Sequence, residues 1–123
     1  MTASEELGSH LCDELGPLGD VWLRRMFGKT GVFCDGVMFA MIADGVLYLR
    51  VDDGNRDAFA EAAVHPPLSY VKRGETIDLS FWRAPDRLFG DDDHDELIAW
   101  CGLAVEAARR VAAKRRPRTR RPL

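Results

Sequence analysis

Eight cations crowd the end of this chain: Arg109, Arg110, Lys114, Arg115, Arg116, Arg118, Arg120 and Arg121 fall within 109–123, and no acid accompanies them. Such a cluster can meet the phosphates of a nucleic acid or the carboxylates of an acidic partner, but it carries no base-reading code. The cations expected to touch a nucleic acid are Lys114, Arg115, Arg116, Arg118, Arg120 and Arg121. The other reading is a solubilising terminus that folds back on an acidic body. Residues 1–108 hold nine cations against all 20 acids, a net charge of −11, so the overall −3 describes neither part. On charge alone, the body would repel a polyanion that the tail would attract.

Other chemistry is harder to find. His10, His65 and His94 stand far apart, and Cys12, Cys34 and Cys101 fall on three different predicted elements without a paired-cysteine or HExxH spacing, so no metal site is expected. Cys34 and Cys101 read as small core residues. The run from Asp91 to Glu96 lacks the alternating oxygen ligands of a calcium loop, and a capped helix start explains it. Gly28-Lys29-Thr30-Gly31 has the letters of a phosphate loop's ending. It lacks the preceding glycine and leads into a strand, where a phosphate loop must open a helix, so it reads as a turn with two flexible glycines. No activated serine or perturbed carboxylate pair is recognisable. No catalytic residue is assigned, no cofactor is called for, and the chain is expected not to be an enzyme.

The elements that must position these residues follow from periodicity. Leu7, Leu11 and Leu15, with Cys12 and Leu18, suit one face of a short helix capped by Ser4 and stopped at Gly16-Pro17. A β region begins at Val21–Phe27. Val32–Cys34, Val37–Ala43 and Val46–Val51, separated by Asp35-Gly36 and Asp44-Gly45, predict a meander, because Asp-Gly suits the two-residue hairpin turn with positive φ at both positions. In the last of these strands Leu47, Leu49 and Val51 share one face, and Val46, Tyr48 and Arg50 the other. Asn55–Val64 reads as a helix capped by Asp52 or Asp53 and ended by Pro66-Pro67. Strands are expected at Leu68–Lys72 and Thr76–Trp82, the second with Ile77, Leu79 and Phe81 inward and Trp82 on the wetter face. Tyr48 and Trp82 could line a groove or stack a base, but packing under a helix is the commoner role, and Arg50 and Arg83 are few cations for a nucleic-acid platform. After Asp93-His94-Asp95-Glu96, a capping box, Leu97, Cys101, Ala104, Ala108 and Val111 form the stripe of a long amphipathic helix flanked by Trp100.

The length of 123 residues and 46% hydrophobic content fit one domain. The predicted fold is α+β, a two-layer α/β sandwich in the order α-β(3-4)-α-β(2)-α with a mainly antiparallel meander sheet. The domain occupies 1–113, and a basic, flexible tail broken by Pro117 and Pro122 occupies 114–123. No membrane span or secretory signal is expected, and the three unpairable cysteines suit a reduced, cytoplasmic protein.

The block Arg24-Arg25-Met26-Phe27-Gly28, then Gly31, then the run from Asp35 to Leu49, resembles the N-terminal domain of the TfoX/Sxy family of competence regulators. Val51-Asp52-Asp53 with Asn55-Arg56, the Tyr70 strand, Leu79 to Pro85, and the final helix with Leu97 and Trp100 agree, so the resemblance spans about residues 4–112. Two departures stand out. The family's usual glycine pair is Gly28-Lys29 here, which makes that turn less permissive, and a stand-alone domain without the C-terminal helical domain of members that regulate competence is expected. The resemblance implies a non-enzymatic transcriptional coregulator, a protein-interaction module acting beside a DNA-binding activator. The alternatives are a nucleic-acid binder that uses the Arg-rich tail and a small-ligand-binding protein. A homodimer through an exposed sheet edge is compatible with each.

Overall fold

The computed structural model describes residues 3–26, 28–62, 69–78, 80–85, 88 and 95–115. Helix α1 (Ala3–Glu14) ends ahead of a 3-10 turn over Gly16–Leu18, where Pro17 sits at the start of the turn. Ser4, expected as the cap, lies inside α1 instead. Its Oγ accepts a hydrogen bond from the Gly45 N–H at 2.9 Å, tying the helix to a hairpin turn across the sequence.

Strands β1 (Val21–Met26), β2 (Lys29–Cys34), β3 (Val37–Ala43) and β4 (Val46–Arg50) form the predicted meander. Both Asp-Gly turns have positive φ at each central residue: 50° and 92° at Asp35-Gly36, 51° and 75° at Asp44-Gly45. This is the geometry whose twist matches the flanking strands. The glycine pair expected at Gly28-Lys29-Thr30-Gly31 resolves differently. Only Gly28, with φ 77°, takes the left-handed conformation. Lys29 already begins β2 and Gly31 lies inside it, so this segment is the start of a strand and not a four-residue turn. The register of β2 on β3 jumps from Val32↔Ala40 to Phe33↔Met38, which leaves Phe39 as an extra residue. That bulge lets consecutive Phe39 and Ala40 both be fully buried.

Helix α2 (Arg56–Ala62) follows. Asn55, and not Asp52 or Asp53, stands at its start: its carbonyl accepts the first helical bond, from the Phe59 N–H. The Asn55 side chain is buried and makes three hydrogen bonds, accepting from the Asp52 N–H and donating to the Arg50 and Leu103 carbonyls. The expected end of this helix, at Val64 and Pro66-Pro67, lies outside the described residues.

The stretch predicted as one strand over Thr76–Trp82 is divided. Strands β5 (Ser69–Lys72) and β6 (Glu75–Asp78) form a separate two-stranded sheet. Ser80 has φ 63°, a left-handed conformation that ends regular alternation. Strand β7 (Phe81–Arg83) then pairs with β4, giving a five-stranded antiparallel sheet in the order β1-β2-β3-β4-β7. Phe81 is buried and Trp82 only half-buried, as expected, but the break decides which face of the sheet each takes. Trp82 pairs with Leu49 on the buried face, and Phe81 pairs with Arg50 on the other. Leu79 and the residues 91–94 of the predicted capping box lie outside the described residues.

Helix α3 (Asp95–Arg115) carries the predicted stripe, with Leu97, Cys101, Ala104 and Ala108 buried, Val105 joining them, and Val111 half-buried. It packs on β3 and β4 while α1 packs on β1, β2 and β3. Leu11, Leu15, Val32, Ile42, Leu47, Leu49 and Phe59 complete the core, and Phe59 meets Trp100 edge-on at 4.9 Å. Burial of each such side chain contributes roughly 1.5–3 kcal/mol. The architecture is the expected α+β sandwich, with one face of the sheet covered by helices.

Candidate interaction surface

The C-terminal turns of α3 are held at one end of the sheet by two ion pairs. Arg110 lies against Asp52 through two charge-assisted hydrogen bonds, Nε to Oδ2 at 2.7 Å and Nη2 to Oδ1 at 2.8 Å. The Arg110 guanidinium hydrogen-bonded to Asp52 holds its carboxyl down at about 2, and the Gly54 and Asn55 N–H groups act in the same direction. Arg109 reaches Asp35 in the β2–β3 turn at 3.3 Å. The first tail cations continue from this anchored helix: Lys114 is exposed on its last turn, and Arg115 is its final residue. Arg116, Arg118, Arg120 and Arg121 lie outside the described residues. Two of the eight clustered cations, Arg109 and Arg110, thus contact the acidic body.

The cysteines are poor nucleophiles. Burial pushes the Cys101 thiol up to about 12. Burial, with help from Asp35, raises Cys34, whose Sγ donates to the Leu18 carbonyl at 3.5 Å. Cys12 is also raised, by burial and by Asp13. Among the described residues no three His, Cys, Asp or Glu side chains converge as a metal would require. A cavity of about 280 Å³ between the start of α1, Arg25 and the Asp44-Gly45 turn, and one of about 200 Å³ between Met38, Arg50 and Val111, are both shallow openings at the surface. Both fall below the usual range for a small-molecule site. Among the described residues no helix is long and apolar enough to cross a membrane.

The other face of the sheet is different. Pairing places Trp22 opposite Phe33, Arg24 opposite Gly31, and Met26 opposite Lys29. It places Phe33 opposite Met38 and Gly31 opposite Met41, then Met41 opposite Tyr48. Directly paired residues share a face, so these side chains lie together, away from the face on which α1 and α3 pack. Trp22 and Phe33 stack in parallel with ring centroids 4.2 Å apart. Trp22 is 37% exposed, and Arg24 is exposed beside it. Toward β7 the face closes: Phe81 is buried, with the Arg50 guanidinium 5.0 Å over its ring.

The charges are sorted as well. The five strands of this sheet contain Arg24, Arg25, Lys29, Arg50 and Arg83 and no Asp or Glu, so all 20 acids of the chain lie elsewhere. The expectation that the sheet carries too few cations rested on Arg50 and Arg83 alone. Arg24 and Lys29 join their face through the β1–β2 register, and Tyr48 keeps them company where Trp82 does not. One signal was available in the sequence: between Val21 and Arg50 the only acids are the two turn aspartates, Asp35 and Asp44.

Comparison with known proteins agrees with this fold. The family described as TfoX N-terminal domain matches residues 13–108. Protein Sxy of Escherichia coli (strain K12) is 30% identical over 108 residues, covering 86% of this chain and 49% of that protein. The chain thus spans about half the length of this relative. A family match over most of the chain, with a relative of this similarity, leads to one conclusion: the chain belongs to the TfoX N-terminal domain family.

Proposed function

We propose that this chain is a non-enzymatic, cytoplasmic coregulator of transcription, working as a protein-interaction module beside a DNA-binding activator. The observation that carries this reading is the family match over residues 13–108. The raised thiol pKa values of Cys12, Cys34 and Cys101 agree with it, since a protonated thiol is a weak nucleophile. Sequence-specific binding belongs to the partner. The tail cations from Lys114 to Arg121 support it by touching phosphates without reading bases, as the exposed Lys114 on an anchored helix allows.

The test is occupancy in the cell. A tagged full chain, cross-linked in its own host, is expected to recover one DNA-binding activator and to occupy that activator's promoters. Deleting the activator should abolish the occupancy. Occupancy that survives the deletion, or repeated recovery without any DNA-binding protein, contradicts the reading.

A further inference from the structure

We propose that the face of the sheet opposite α1 and α3, over β1–β3 and Tyr48 of β4, is a binding platform for single-stranded nucleic acid. In this platform bases stack on Trp22, Phe33 and Tyr48 while Arg24 and Lys29 meet phosphates. This goes beyond the coregulator reading, which assigns no ligand to the sheet.

Three observations point to this occupant. The first is charge: the five strands of this sheet hold five cations and no acid in a chain of net charge −3, and the register puts Arg24 and Lys29 among the aromatic and methionine side chains of the open face, while Arg25 falls on the other face with Ile42. The second is the aromatic arrangement. Trp22 and Phe33 stand stacked on adjacent strands, with Trp22 on the edge strand and more than a third exposed. Aromatic rings on an open antiparallel sheet, flanked by arginine, are how sequence-tolerant single-strand binders hold bases. The third is the composition between them: Met26, Met38 and Met41 are half-buried, unbranched side chains that adapt to bases of different shape.

The same features disfavour the other occupants. Duplex DNA keeps its bases stacked inside, so they are not free to stack on the rings. A second copy laid face to face would set Arg24 and Lys29 against the same cations across the interface. An acidic peptide would satisfy the cations, but its carboxylate side chains offer no aromatic ring to stack on Trp22 and Phe33. The closed end at Phe81 confines the platform to the β1–β4 side, a width suited to two or three bases.

The experiment uses the full-length chain with Lys114, Arg115, Arg116, Arg118, Arg120 and Arg121 all changed to Ala, so that tail binding cannot masquerade as sheet binding. Fluorescence anisotropy is recorded with labelled oligothymidylate, oligouridylate, a duplex of equal length and an oligoglutamate peptide, at several salt concentrations. The single strands are expected to bind more tightly than the duplex or the peptide, with a log–log salt slope of about −1.4 from two phosphate contacts. Trp22→Ala should weaken binding roughly 5- to 100-fold, Trp22→Phe should recover most of it, and Arg24→Ala should remove about 0.7 from the slope. Circular dichroism melts confirm that each variant folds, and Trp22 and Arg24 are exposed enough for both changes to be tolerated. Absence of single-strand binding overturns the proposal. So does binding unchanged by Trp22→Ala and Arg24→Ala in folded protein, or a preference for duplex or oligoglutamate.

Discussion

The two faces of one sheet have been put to opposite uses. On the covered face, Leu47, Leu49, Ile42, Ala40 and Val32 sit at 0–2% exposure under α1 and α3. On the open face, Trp22, Phe33, Met41 and Tyr48 occupy the alternate positions of the same strands, and Arg24 and Lys29 stand among them. The difference teaches that the net charge of a domain is a poor guide to what it attracts. A body of net −11 would be expected to repel a polyanion, yet the strands of its five-stranded sheet carry cations and no acid, while Glu75 and Asp78 stand on the separate β5–β6 sheet. Long-range repulsion from the acidic layer is screened beyond about 8–10 Å at physiological salt, so a ligand on the open face responds mainly to the cations beside it.

Substitutions can break this comparison in order of size. Leu49→Ala on the covered face should cost about 2–5 kcal/mol, since a buried leucine leaves a cavity among rigid neighbours. Met41→Ala, its neighbour on the open face, should cost less than half as much, because that side chain is only partly buried. Urea unfolding of both variants checks this, and equal losses would mean that the open face is packed like a core. Asn55→Ala comes next, at about 2–3 kcal/mol, because it strands the Asp52 N–H and the Arg50 and Leu103 carbonyls without their partner.

Asp52 gives a smaller effect with a defined pH signature. Its carboxyl titrates at about 2 in the folded chain, against an ordinary value near 3.8. A depressed folded value means that the stabilisation is fully present above the unfolded pKa and is lost as pH falls from about 4 toward 2. Asp52→Asn should remove that portion of the acid transition and cost about 1 kcal/mol at neutral pH, since Arg110 is partly solvated. Thermal melts from pH 2 to 7 on both proteins decide it. Smallest is Arg24→Glu, which should change stability by no more than about 0.5 kcal/mol while reversing the charge of the open face. If that substitution unfolds the protein, Arg24 is structural and the contrast between the faces fails.

Much of this fold was legible because its signals are local. Two Asp-Gly dipeptides between apolar runs specify two hairpins, and the spacing of Leu97, Cys101, Ala104 and Ala108 specifies a helix stripe. The segment around Ser80 was not legible. Its left-handed backbone splits an apparently continuous alternation between two sheets and turns Trp82 inward, and serine carries no strong preference that announces such a break. Asn55 was hidden for a related reason: its three hydrogen bonds depend on Arg50 and on Leu103 of α3, which is 48 residues away in sequence. The tail was obvious from charge. The open face required the register, because Arg24 and Lys29 become neighbours of Phe33 and Met41 only once β1, β2 and β3 are paired.

The most direct measurement is an amide and indole NMR titration of the full chain with a short oligothymidylate. The Trp22 indole and the amides of Arg24, Lys29, Phe33 and Met41 are expected to shift together and saturably, while buried positions of α1 and α3 such as Leu11 and Cys101 stay still. Shifts confined to the end of α3 around Lys114, with the Trp22 indole unmoved, would assign nucleic-acid contact to the tail alone and contradict the central claim.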